Sequence, residues 1–440
     1  MQINNFCVGV LPKGLDDLIQ ALVFSQKQVF YFTEEGSPEA QWISEFLSRK
    51  QILYYHFSTR RKNFDKHSLE NILKYSDLTQ LLKKRRIKYL VFSNALSNFL
   101  EKWSKANKLK IIASPYHFQK SFENKIYFDA FLERNGIPKP KSCTYNHSKN
   151  SKIFSDKMVL QKAGSWGAEG TFFLKNKNDL KKLLTKNKIR RNENCLLREH
   201  ISGKSYGITV FISPKIIAIS SLREQHFYEC DQSCEQNFAG IQWVAGKNIS
   251  AQLMLNINQV FARLGELFHQ EKFLGYANFD FIIDRQNKIY LIECNPRFAA
   301  SSLQLLRFPR LISDIQTEKL FINDFIEKSD FAKPKVYLAD SQNDFEGANL
   351  QIKVAPKTKI VKDYRNGLYE YKNGRAIYKD PDIRKFSQQG KELIFHSNTS
   401  LGRFYPETLD AANVITNFPL FGKGGQLNKL GRKIIETFSY

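Results

Sequence analysis

The sequence is poor in the features that would place it in a membrane or outside the cell. Six cysteines scattered over 440 residues do not make a disulfide framework and suit free thiols in a reducing compartment. No apolar run approaches the roughly 20 residues that a membrane span requires. The opening MQINNFCVGVLPKG has no basic region ahead of an apolar stretch, so no signal peptide is expected and the expected location is the cytoplasm. A GxGxxG fingerprint is also missing around Gly9 and Gly14, which argues against a dinucleotide site there. No compelling Ser/His or Cys/His constellation points to a covalent nucleophile. His226, Cys230 and Cys234 have helical spacing, but no fourth zinc ligand accompanies them.

Acidic residues are the scarce charge. There are 43 Asp and Glu against 67 Lys and Arg, a formal net charge of +24, and so basic a surface raises nucleic acid, an anionic membrane or an acidic small molecule as partners. The lysines are spread along a chain rich in Lys, Asn, Ile and Phe rather than gathered in a tail. Two clusters, Lys83-Lys84-Arg85-Arg86 and the segment from Lys175 to Arg191, read as solvated helix faces. Nucleic acid is therefore not the favoured partner.

What is present builds cores. Hydrophobic residues at 42% and aromatics at 13% are enough for two to four domains or subdomains in a chain of this length. Phe6 to Leu11, Val29 to Phe32, Ile52 to Phe57 and Tyr89 to Phe92 are short apolar runs. Leu15 to Phe24 and Glu39 to Leu47 between them carry helix spacing. That alternation predicts an N-terminal α/β domain over about residues 1 to 115, with a mostly parallel sheet facing substrate.

The stretch from Gly275 to Arg297, GYANFDFIIDRQNKIYLIECNPR, reads as a hairpin. Ala277 to Ile283 and Ile289 to Cys294 are rich in aromatic and β-branched residues, and Arg285-Gln286-Asn287-Lys288 is the turn between them. The register set by a four-residue loop pairs Ile283 with Tyr290 and Asp280 with Glu293, with Asn295 on the same face as Glu293. Two carboxylates opposed at roughly 5 Å between Cβ atoms destabilise a sheet unless a cation lies between them. An oxygen-only set suits Mg²⁺ or Mn²⁺, which takes its remaining ligands from phosphates. Arg297, two residues on, is placed to stabilise charge on a phosphoryl group. A surface hairpin with water-facing acids is the plainer alternative.

Upstream, Leu109 to Ala113 is a further strand, and a helix from Phe118 to Asn135 ends at Gly136. KMVLQKAGSWGAEGTFFL then reads as a strand, a loop with Gly164, Gly167 and Gly170, and a second strand. Such glycines let backbone N–H groups close over an anion, though a hairpin turn without a ligand is the commoner explanation of three glycines between strands. Cys195 to Ile201 is the next strand, Tyr206 to Ile212 and Ile216 to Leu222 pair, and Ser250 to Phe268 is an amphipathic helix that should back the hairpin.

Asp280 followed by Glu293, Asn295 and Arg297, together with SFENKIYFDAFLERNGIPKPKS and the glycine loop, resembles the ATP-grasp superfamily, in its carboxylate-amine ligase or biotin carboxylase-like branch. The likeness covers about residues 110 to 315. It implies an ATP-grasp domain over about 116 to 315 whose mobile lid spans about 150 to 198, behind a pre-ATP-grasp-like N-terminal domain. It implies ATP and Mg²⁺ or Mn²⁺ as cofactors, with the metal on Asp280, Glu293 and Asn295. Lys125 becomes a phosphate lysine, and the glycine loop a flap over the phosphates. Residue 161 is where many members carry a second phosphate lysine. Here it is Gln161, which brings hydrogen bonds but no charge, and Lys162 points to the other face of the strand. Arg198, Glu199 and Ile201 occupy the hinge beside the base, and Ser205 stands where a ribose-binding acid is usual. Arg223 and Arg297 are the implied catalytic cations, and Ser301, Ser302, Arg307 and Arg310 are candidates for substrate recognition.

The implied reaction activates a carboxylate as an acyl phosphate and joins it to an amine. Small-molecule acid and amine substrates and a homodimer are the expected partners. A carboxylase-type reaction, a kinase and a non-enzymatic basic nucleic-acid- or ATP-binding protein are the rivals. From about residue 316 the pattern becomes a small C-terminal α+β domain. It has a short helix, strands from Tyr337 to Tyr378 with Asn366-Gly367 and Asn373-Gly374 turns, a Gly422-Lys-Gly-Gly turn and a basic amphipathic tail.

Overall fold

The computed structural model describes residues 6–9, 29–34, 53–57, 73, 77–84, 87–91, 96–150, 157–165, 170–228, 237–299, 301–327, 329–362, 364–397, 399, 402, 404–405 and 409–439. The helices expected over 15–24 and 39–47 lie outside these residues, as do Gly167, Cys230 and Cys234.

The first apolar runs form β1 (Phe6–Gly9), β2 (Val29–Glu34), β3 (Leu53–Phe57), β4 (Tyr89–Val91) and β5 (Lys110–Ile112), in the order β3-β2-β1-β4-β5. Every pairing in this sheet is parallel, as the strand–helix alternation predicts. Of the first basic cluster the described residues are Lys83 and Lys84, both exposed at the end of α1 (Leu78–Lys84).

One expected helix is two. α2 (Tyr116–Phe122) stops, and α3 (Lys125–Arg134) starts afresh, because the Asn124 side chain accepts hydrogen bonds from the Ile126 and Tyr127 N–H groups. An Asn that caps offers the backbone an alternative to continuing the helix, and Lys125 thereby becomes the first residue of α3. Gly136, at φ +64°, ends α3 in the left-handed conformation that only glycine adopts cheaply.

A separate antiparallel sheet follows, β6 (Ser142–Tyr145), β7 (Met158–Lys162), β8 (Thr171–Leu174) and β9 (Cys195–Glu199), in the order β6-β9-β7-β8. Leu160, Leu174, Leu197 and Phe172 pack on Leu180 and Leu183 of α4 (Lys177–Thr185).

The largest sheet carries the hairpin. Its strands are β10 (Gly203–Ile212), β11 (Ile216–Ile219), β12 (Arg223–Tyr228), β13 (Asn237–Trp243), β14 (Gly275–Asp284), β15 (Ile289–Asn295) and β16 (Lys335–Tyr337). It continues through β17 (Ala348–Val354), and β18 (Thr358–Lys359) leaves it for a small pairing of its own. β19 (Gly367–Lys372), β20 (Arg375–Asp380) and β21 (Glu392–Ser397) rejoin it, β22 (Phe404–Tyr405) pairs with β18, and β23 (Leu409–Thr416) completes it. The order runs β15-β14-β10-β12-β13-β17-β23-β21-β19-β20, so the C-terminal strands extend the hairpin's sheet through the β13–β17 pairing. The Asn373-Gly374 turn joins β19 to β20 as expected, with both residues at positive φ. Asn366-Gly367 makes no hairpin. Gly367 opens β19 at φ +140°, where it faces Phe395 of β21. Among the described residues no helix is long and apolar enough to cross a membrane.

Phenylalanine builds the layer behind the hairpin. α5 (Ala251–Gln270), capped by Ser250, lays Phe261 and Phe268 against Phe279 and Phe281 of β14. Phe122 meets Phe268 at 4.5 Å between ring centres, and Phe128 meets Phe279 at 6.2 Å. Phe279 and Phe281 are fully buried, while Asp280 between them and Ile282 after them face the other way. Each sandwiched ring contributes roughly 1.5–3 kcal/mol by area, which pins the register and therefore the acidic face.

His226 lies in β12 rather than on a helix. Phe421 stacks on it at 4.0 Å, held there by Gln242, whose Oε1 accepts from the Leu420 and Phe421 N–H groups. Burial pushes the imidazole down to about 4, Lys204 adds repulsion, and a backbone hydrogen bond with Gly425 opposes them. The native state thus keeps His226 neutral while the unfolded chain protonates it below its ordinary 6.5. Its contribution is complete above that pH and is lost as pH falls toward 4. Urea midpoints measured from pH 7 to 4 should decline less steeply in His226→Phe than in the wild type; parallel declines would remove His226 from the acid response.

Candidate functional site

The hairpin turns over the expected residues but closes one position tighter than a four-residue loop, with Asp284 N–H donating to Lys288 O. Asp284 Oδ1 accepts from the Gln286 and Lys288 N–H groups, and Asn287 takes φ +61°. Next to the turn the register differs from the expected one, with Ile282 rather than Ile283 opposite Tyr290. A bulge then skips Ile292, and beyond it Asp280 faces Glu293 and Asn278 faces Asn295. Turn and bulge each shift the pairing by one residue. The acidic pair is therefore the expected one, reached by an offset that no local pattern displays.

Around the pair, the structure gathers polar partners from distant parts of the chain. Lys125 Nζ lies 3.3 Å from Glu293 Oε2 and donates to the Ser165 carbonyl at 2.6 Å, while its backbone N–H donates to Ala163 O. The phosphate-lysine candidate thus joins the acidic strand to the glycine loop. Asn295 Nδ2 donates to Glu293 Oε1 at 3.4 Å, and its Oδ1 accepts from Arg297 Nη2 at 3.3 Å. Arg297 Nε donates to Glu123 Oε1 at 2.6 Å and its Nη1 to Phe298 O. Burial, and then the Glu293 charge, push the Asp280 carboxyl up to about 7; Arg223, a hydrogen bond from Gln225 and Lys125 pull against them. Burial and a neighbouring like charge both disfavour the ionised form, which is why this carboxyl holds its proton so far above the ordinary range.

Arg223 lies beneath this face. Its guanidinium donates to Thr209 Oγ1 at 2.9 Å and Asn278 Oδ1 at 3.3 Å, and it sits over the Trp243 ring. A Cβ on Gly207 would fall 2.8 Å from its Nε, so the absent side chain makes its room. Burial lowers it to about 10, with Asp280 opposing. Asn278 Nδ2 in turn donates to Arg297 O, linking the two arginines through one amide.

Other expected residues divide. Ser205 donates to Gln225 Oε1 at 2.9 Å, and Gln225 Nε2 donates to Asp280 Oδ1 at 2.7 Å; Ser205 thus reaches the acidic pair through Gln225. Gln161 is buried, with its Oε1 accepting from Arg198. Gly164 has open space around it and Gly170 takes φ +69°. Glu199 gives its carboxylate to the Lys141 N–H, and Ile201 is half-buried. Ser302 Oγ accepts from Ala299 N–H, and buried Ser301 has no partner for its hydroxyl. Arg307 turns to the Phe386 carbonyl, away from the acids, and Arg310 is exposed. Sequence reasoning missed Glu123 and Gln225. Glu123 stands 174 residues from Arg297, and nothing linear connects them.

Among the described residues no three His, Cys, Asp or Glu side chains converge as a metal cluster. Two carboxylates and an amide oxygen fit a hard cation that completes its shell from phosphates and water, and fit a self-sufficient protein cage poorly.

Residues 122–301 match the family model of the ATP-grasp domain. Solved structures share the fold. The biotin carboxylase domain of Hydrogenobacter thermophilus 2-oxoglutarate carboxylase, in complex with MgADP, ADP and bicarbonate, superposes with a TM-score of 0.59 at 10% identity, over 95% of this chain and 87% of that one. L-amino acid ligase from Bacillus licheniformis gives 0.58 at 12%, over 94% and 93%. N5-carboxyaminoimidazole ribonucleotide synthetase from Thermotoga maritima gives 0.54 at 13%, over 99% and 97%. A search of curated protein sequences finds no significant match. Over residues 122–301 the chain thus carries an ATP-grasp domain.

The Glu123–Arg297 pair is mostly buried, with side-chain exposures of 11% and 22%, so removing one partner strands a desolvated charge. A double-mutant cycle of Glu123→Ala and Arg297→Ala, read from urea unfolding, should return a coupling of about 1–3 kcal/mol; a coupling near zero would mean that Glu123 does not hold Arg297.

Proposed function

We propose that the protein is an ATP-dependent ligase that activates a small carboxylic acid as an acyl phosphate and couples it to an amine. One observation carries the reading. Asp280 and Glu293 face each other across the hairpin with Lys125 at 3.3 Å and with Arg297 fixed through Asn295. Asp280, Glu293 and Asn295 would hold Mg²⁺, which when bound neutralises the β and γ phosphates. Lys125 and the Ala163-to-Gly170 loop would cover the phosphates, and Arg297 would meet the charge that develops on the transferring group.

A carboxylate oxygen of the acid attacks the γ phosphorus, and the bond to the β–γ bridging oxygen breaks, leaving ADP. The amine nitrogen then attacks the acyl carbon, the bond from that carbon to the bridging oxygen breaks, and inorganic phosphate leaves with that oxygen as the amine gives up a proton. Neither step requires a covalent protein nucleophile. Water would hydrolyse the intermediate, so closure of the glycine loop is part of the reading. The ligase among the structural neighbours supports the amide-forming version. The neighbour in complex with MgADP and bicarbonate favours a second one, in which bicarbonate is the acid and a carboxylated acceptor the product.

The test is ADP and phosphate release from Mg-ATP against a pool of amino acids and small carboxylates, with hydroxylamine as the trap. Acid-dependent hydroxamate is expected from the wild type. Glu293→Ala and Arg297→Ala should each lose at least roughly a hundredfold in turnover with the melting transition retained. Full activity in either folded variant would refute the assignment of that residue.

A further inference from the structure

The nucleotide reading leaves no positive charge at position 161, where a buried, neutral glutamine stands. We infer that Arg198 supplies, from the neighbouring strand, the phosphate-binding charge that Gln161 lacks. This rests on the nucleotide-binding part of the proposed function.

Leu160 and Leu197 point into the core of the four-stranded sheet, so the residues that alternate with them, Gln161 and Arg198, share its opposite face. That face meets the acidic hairpin, because Arg198 Nη1 donates to Ile292 O at 2.7 Å, one residue before Glu293. The same Nη1 donates to Gln161 Oε1 at 2.9 Å, and Gln161 Nε2 donates to Thr171 Oγ1. Glutamine here is a bracket that aims the guanidinium. Lys162 does not fill the gap, since its ammonium lies toward Glu193, 4.0 Å away, on the other face of β7.

The charge on Arg198 is incompletely matched. The side chain is 2% exposed; among the described residues its one ion pair is with Asp129 Oδ1 at 3.3 Å, and Glu293 attracts it more weakly. Asp129 already accepts from Lys139 at 2.9 Å and from Ser142 at 2.7 Å through its other oxygen. Arg198 Nε is buried without a hydrogen-bond partner among the described residues. A desolvated guanidinium with two neutral carbonyl acceptors, a shared carboxylate and an orphaned N–H is under-neutralised. A phosphate oxygen is the acceptor that would satisfy it, since guanidinium–phosphate bonds are charge-assisted. The rival is a purely mechanical role, in which Arg198 only straps β9 to β15.

Calorimetric binding of MgADP and of adenosine to the full chain separates the two. Arg198→Gln should weaken MgADP by roughly tenfold to a hundredfold and leave adenosine within about twofold, and Gln161→Lys added to Arg198→Gln should recover most of the MgADP affinity. Arg198→Lys, which keeps charge but not the fork, should fall between wild type and Arg198→Gln, and it serves if the glutamine variant does not fold. Unchanged MgADP binding in Arg198→Gln, equal losses for MgADP and adenosine, or no recovery with Gln161→Lys would each overturn the inference. A wild-type protein that binds no Mg-nucleotide would remove the parent reading as well, a different result from binding that ignores residue 198.

Discussion

The structure depends on two carboxylates held face to face. Asp280 and Glu293 stand opposite each other on adjacent strands, an arrangement that costs free energy in any sheet and more in one that is partly desolvated. Lys125 approaches one acid, Gln225 donates to the other, and Arg223 lies beneath with its charge directed at the same place. These partners offset the repulsion within the pair. Site and strain are one feature, as is common where pKa values depart furthest from their ordinary range.

The apolar side of the hairpin makes this tolerable. Alternation along β14 sends Phe279 and Phe281 into the aromatic layer built by α5 and the two short helices, and sends Asp280 the other way. Burial of the rings resists the register slip that would part the acids. The helix break at Asn124 serves the same end, because it places Lys125 at a helix start beside the glycine loop. A continuous helix would carry residue 125 on through its own hydrogen-bond ladder, and its N–H could not reach Ala163.

Much of the fold was legible in the sequence because it is written in local periods. The parallel N-terminal strands, the helix over Ser250 to Phe268, the Asn373-Gly374 hairpin and the strand–loop–strand around Gly164 and Gly170 all follow from period-2 or period-3.6 patterns and turn chemistry. The misreadings are places where one side chain outvoted a period. Asn124 capped a helix that the apolar pattern would have continued. The bulge at Ile292 and the turn shifted the hairpin twice, and the two shifts cancelled. Gly367 opened a strand instead of closing a turn.

For the site, the sequence by itself determined which chemical groups are available: two acids and an amide at strand spacing, an arginine behind them, a lysine on a helix and a glycine loop. Those follow from residue type and short-range geometry. Only the tertiary structure decided how the groups are paired. It brought Glu123 to Arg297 across 174 residues, Gln225 between Ser205 and Asp280, and Arg198 onto Gln161 and the hairpin backbone. Such contacts form between side chains whose strands and helices meet only after the Phe layer has packed, so no period in the chain encodes them.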